Sequence, residues 1–144
     1  MMRSLWTAAR SVLAVLAGII AMTLVAFAIE IPARALTLRM FPQTFPDHAA
    51  LDSNIAWMLS QSLYTVPALI LGGYVAAWLA PRRGLVHAVA MAVVQELLIV
   101  ALMFNPPHPV PPWMWLLTLA MTPVAIVFGG YLRSRRQPAP QPKP

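Results

Sequence analysis

Residues Gly72–Val100 read GGYVAAWLAPRRGLVHAVAMAVVQELLIV. Two long apolar runs flank Pro81-Arg82-Arg83-Gly84. Proline and glycine beside charged residues mark a tight turn. The runs on either side are too long for strands and too apolar for the surface of a soluble protein, so the stretch is a membrane hairpin of two helices.

Working outward from it, the hairpin's first helix spans about residues 55–80 and its second about 85–104. An earlier apolar run, about 11–29, and a later one, about 113–132, have the length to cross a bilayer. The fold class expected is all-α, a single four-helix transmembrane bundle over residues 1–132. Composition agrees: of 144 residues, 60% are hydrophobic and 10% charged, against about 25% charged in soluble domains. Such a chain has the lipid bilayer as its first partner.

The net charge of +6 raises nucleic-acid binding, but the basic residues sit at the ends of apolar runs and form no basic face, so no nucleic-acid partner is expected. Arg3, Arg10, Arg82, Arg83, Arg133, Arg135, Arg136 and Lys143 fall on one side of the threaded chain, and only Arg34 and Arg39 on the other. The positive-inside rule then puts both termini in the cytoplasm, in a cell inner membrane crossed several times. The first run also resembles a secretory signal ending at Ala26-Phe27-Ala28, but its length favours an uncleaved anchor. Residues 133–144 form a basic, proline-rich tail expected to be disordered.

Pro32, Pro42 and Pro46 are expected to break any long helix between Glu30 and Asn54, leaving room for a short interfacial helix between Ala33 and Phe41. Pro67 should kink the second span. Beyond it, Gly72, Gly73, Ala76, Ala77 and Ala80 form a small-residue ladder of the kind that lets helices approach closely in lipid. Asn105 to Pro112 is a rigid proline-rich connector. Trp57-Met58 and Pro67 recur as Trp113-Met114 and Pro123, and Gly72-Gly73-Tyr74 recurs one residue out of step as Gly129-Gly130-Tyr131. This pattern is either a parallel repeat of two hairpins or the ordinary furniture of membrane helices.

The run GGYVAAWLAPRRGLVHAVA, with Glu30 before it and NPPHPVPPWMW and a proline-containing last span after it, resembles a group of small four-helix bacterial inner-membrane proteins. The resemblance covers most of residues 30–136 and implies architecture and location, with no established activity. Within it Glu30 and His87 correspond to an acid ending the first span and a histidine opening the third, while Gln95-Glu96 departs from the pattern.

Few residues carry polar chemistry. Glu96 lies near the middle of its span, where a charge costs roughly 2.5–3.5 kcal/mol on insertion scales. It is expected to be a neutral, hydrogen-bonded acid facing the bundle, in a polar site with Gln95, Tyr64 and Gln61, and with Thr65, Thr118 and Thr122 at similar depth. That site serves either interhelical hydrogen bonding or proton or cation exchange. His87 stands nine residues before Glu96 (96 − 87), roughly half a turn round the helix, so the two share no face. Arg82, Arg83 and His87 are candidate lipid-headgroup contacts. Glu30, Asp47, His48, Asp52 and His108 collect on the outer side but lack metal-ligand spacing, and are expected to be solvated. No metal, cofactor or catalytic constellation is expected, and there is no cysteine. The function expected is that of a non-enzymatic accessory or oligomeric membrane subunit, relying on self-association or another membrane protein; the alternative is a small proton-coupled transporter using Glu96 as an oligomer.

Overall fold

The computed structural model describes residues 2–80, 83–106 and 110–136. They form an all-helical chain of five helices: α1 Met2–Met40, α2 His48–Asp52, α3 Ile55–Leu79, α4 Gly84–Phe104 and α5 Pro112–Arg135. Four of them, all but α2, are long and apolar enough to cross a membrane, which makes this a multi-pass membrane protein. Arg82, His108 and the tail from residue 137 lie outside the described residues.

The first helix differs most from the sequence reading. It does not stop near Ile29 but continues through Pro32 to Met40. Proline removes one backbone hydrogen bond, at a cost of about 3 kcal/mol. Ending the helix here would leave the last turn's carbonyl groups without helical partners. One missing bond is the smaller penalty, and the Glu30–Arg34 ion pair, 3.0 Å, straddles the proline on one helix face. The short helix falls instead at α2, where the Asp47 carboxylate accepts from the Ala50 amide at 2.8 Å. Leu51, fully buried, pins α2 to the bundle.

Asn54 starts α3 in the same manner, its side chain accepting from the Trp57 amide at 3.0 Å. Asn54→Ala should cost about 1 kcal/mol, read as faster hydrogen exchange at the first turn of α3; unchanged exchange there would show the cap to be idle. α5 begins with Pro112, whose missing N–H falls where no helical bond is owed. α3 and α5 run unbroken through Pro67 and Pro123. In the α3–α4 turn Arg83 takes a left-handed φ of 49°. A Cβ on Gly84 would stand 2.6 Å from the Ala77 carbonyl oxygen, so α4 starts in close contact with the end of α3.

α3 is the central helix, packed against α1, α4 and α5. Its small-residue ladder is spent inside the chain: Gly72, Gly73, Ala76 and Ala77 are all buried. The α3–α5 crossing is reciprocal. A Cβ on Gly73 would lie 2.0 Å from the Ile126 carbonyl oxygen, and one on Gly129 would lie 1.9 Å from that of Ile70. The partners are spaced alike, 129 − 73 = 56 and 126 − 70 = 56, which is also the spacing of the Trp-Met and proline matches (113 − 57 and 123 − 67). Gly73 and Gly129 thus sit at matching places in the α3–α5 crossing. On the other side of α3, Met91 of α4 fills the space between Gly18 of α1 and Gly72. The core is thin and built of alanine, glycine, methionine and a few larger residues, while Leu63, Leu97 and Phe104 point outward. That is the inside-out economy of a helix bundle in lipid, where close approach rather than water exclusion holds helices together.

Candidate functional site

At the end of the bundle where α1, α2 and α3 meet, a polar network is assembled. Extension of α1 past Pro32 carries Glu30 and Arg34, four residues apart, to the level of α2. Arg34 then bridges two acids: Nη2 donates to Glu30 Oε1 at 3.0 Å and Nη1 to Asp52 Oδ1 at 2.7 Å. Glu30 Oε1 also accepts from Gln61 Nε2 of α3 at 3.2 Å. The guanidinium lies over the Trp57 ring, 5.7 Å from its centroid, and Trp57 is itself buried. The ion pairs are partly shielded, with side-chain exposures between 21% and 28%.

Beside this network lies a cavity of about 250 Å³ between α1, α3 and α5. Glu30 stands at its wall with Gln61, Tyr64, Thr65, Thr118 and Thr122, above an apolar base that includes Leu69 and Met121. Its hydroxyl groups are mostly committed: Ser62, Thr65 and Thr118 each donate to a carbonyl of their own helix. What they turn toward the cavity is oxygen lone pairs. Tyr64 Oη is enclosed and makes no hydrogen bond of good geometry, with the Gln61 side chain as its polar neighbour.

The expected intramembrane site is thus divided. Gln61 and Tyr64 line the cavity with Glu30; Gln95 and Glu96 do not. Glu96 Oε1 and Gln95 Oε1 are both enclosed, and neither has a hydrogen-bond partner. Along α4 the buried residues Ala88, Met91, Ala92 and Ile99 form one stripe. At about 100° per residue Gln95 falls within that stripe and Glu96 on its edge, bordering the exposed face. His87, half-buried, has Nδ1 3.3 Å from the Arg83 carbonyl oxygen, and also lines an apolar groove with Val12 and Leu16 of α1. Arg83 is exposed beside it.

The acids read from sequence as solvated loop residues are in part a structured network. The signal that would have found it is the Glu30–Arg34 spacing of four, hidden by the expectation that Pro32 ends the helix. Nothing in the sequence pairs Arg34 with Asp52. Among the described residues no three His, Asp or Glu side chains converge as metal ligands. Compared with protein-family models, curated proteins and solved structures, the chain matches none.

Proposed function

We propose that this is a non-enzymatic subunit of the inner membrane, with both termini cytoplasmic, that works as a self-associated bundle through α4. The observation that carries the reading is a stripe on α4. Val86, Val89, Val93, Glu96, Val100 and Met103 follow each other at intervals of three and four residues. That is the spacing of a helix–helix seam. Five of the six are exposed, Val93 to 54% and Val86 to 56%, and the sixth is the acid without a partner. One polar residue in such a seam sets register by meeting its own counterpart. A parallel two-fold pair brings Glu96 against Glu96 of a second copy, and protonated acids hydrogen-bond each other there. The small-residue ladder of α3, the obvious association motif in the sequence, is already used within the chain. The distribution of arginines supports the orientation.

The absence of cysteine gives a clean test. Val93→Cys and Val100→Cys should form disulfide-linked dimers in native membranes, whereas Leu24→Cys on α1 and Leu116→Cys on α5 should not. Equal crosslinking at all four positions, or crosslinking confined to α1 or α5, would sink the proposal. The transporter reading needs a hydrated route to Glu96, and the polar cavity is lined by Glu30 instead; association is therefore the better-supported reading.

A further inference from the structure

The polar cavity between α1, α3 and α5 has a chemistry of its own. Glu30, the charged residue on its wall, belongs to an unbalanced network beside the cavity, in which a single guanidinium, Arg34, serves two carboxylates, Glu30 and Asp52. No other cation joins that network among the described residues, so it carries one excess negative charge. Its hydroxyl groups present acceptors, since Ser62, Thr65 and Thr118 spend their protons on their own helices. Gln61 spends a donor on Glu30. The base is apolar, with Val66, Leu69 and Leu117. Tyr64 Oη, enclosed on the cavity wall, makes no hydrogen bond of good geometry, with the Gln61 side chain as its polar neighbour. An enclosed polar atom without a well-made hydrogen bond carries a penalty that a ligand removes.

We propose that this cavity binds a small organic cation, a primary ammonium group on an apolar body, with the ammonium at Glu30 and the apolar part between Leu69 and Met121. Excess negative charge selects a cation, and a lining rich in acceptors suits the three N–H donors of an ammonium group. The apolar base excludes a fully hydrated metal ion and accepts a hydrocarbon body. Size sets the limit. A cavity of about 150 Å³ holds benzene, and the roughly 250 Å³ available here admits a phenyl ring with a short aminoalkyl arm. The site owes nothing to α4 and is independent of self-association.

Equilibrium dialysis of labelled phenethylammonium against the full chain in nanodiscs of zwitterionic lipid tests this, with empty discs reporting simple partition. The expected result is saturable binding of one cation per chain. The neutral isostere phenethyl alcohol and the anion phenylacetate should compete at least tenfold more weakly than unlabelled phenethylammonium. Glu30→Gln should weaken binding at least tenfold. Thr118→Phe, which fills the cavity and leaves the Arg34 ion pairs in place, should abolish it. Uptake no greater than in empty discs would overturn the proposal. So would equal competition by phenethyl alcohol or phenylacetate, or parent-like binding in folded Thr118→Phe. The isostere comparison uses the unaltered protein, so it decides the matter even where a variant does not fold.

Discussion

Gly129→Leu should leave no folded bundle. A Cβ at this position would stand 1.9 Å from the Ile70 carbonyl oxygen, 2.8 Å from its carbon and 2.9 Å from the Tyr74 amide nitrogen. All three are backbone atoms, so no side-chain rotation makes room and the two helices must separate. Overpacking a tight interior costs about 1–3 kcal/mol even where side chains can shift. Here separation also strips the reciprocal contact at Gly73, where the same clash with Ile126 exists. The loss expected is therefore at the upper end of that range or beyond. Gly18→Ala is the control: its nearest neighbours include the Met91 sulfur and the Ala76 methyl at 2.8 Å, the former movable, though the Gly72 carbonyl at 2.7 Å keeps it from being neutral. Size-exclusion profiles and thermal unfolding in detergent should rank Gly129→Leu far below Gly18→Ala, and Gly18→Ala somewhat below the parent. A stable, monodisperse Gly129→Leu would mean that α3 and α5 do not cross at these glycines.

Arg34→Met should have the next largest effect. It keeps the bulk of the side chain and its packing over Trp57, but leaves Glu30 and Asp52 as two carboxylates facing one vacancy. Removing one partner of a fully buried ion pair costs about 3–5 kcal/mol. With exposures of 21–28% at these side chains, water recovers part of that, and roughly 1–3 kcal/mol is expected. Arg34→Met combined with Glu30→Gln and Asp52→Asn should be more stable than Arg34→Met alone, since the orphaned charges go with their partner. Denaturation followed by tryptophan fluorescence measures both. A triple variant less stable than the single one would show that the acids hold the helices by contacts other than charge.

Much of the fold was legible because the bilayer imposes it. The helical spans about 55–80, 85–104 and 113–132 match α3, α4 and α5 to within a few residues, since length and apolarity alone define them. Pro32 misled for a physical reason: the rule that proline ends helices counts one lost hydrogen bond and a ring clash, and leaves out what side chains on either side can form. With Glu30 and Arg34 linked across it, continuing the helix is the lesser loss. That one residue concealed the network, because Glu30 and Arg34 share a face only if the helix goes on. Asp52 reaches Arg34 through the placement of α2, a tertiary fact carried by Asp47 and Leu51 that no periodicity reveals. Glu96 was visible at once as an acid out of place. Grouping it with Gln61 and Tyr64 followed from depth alone, and depth does not say which side of a helix meets which neighbour. Exposure along α4 supplies that: the valines at 86, 89, 93 and 100 share an exposed face with Glu96 at its edge.

The proposed self-association through α4 is tested most directly by single-molecule photobleaching of the full chain, diluted in liposomes. The parent should bleach in two steps over a range of protein densities. Glu96→Leu should weaken the dimer roughly 3- to 20-fold, the equivalent of one interhelical hydrogen bond of about 0.6–1.7 kcal/mol. Glu96→Gln, which can still pair with itself, should recover most of the loss. One-step bleaching of the parent at every density, or a Glu96→Leu dimer as strong as the parent's, would contradict the account.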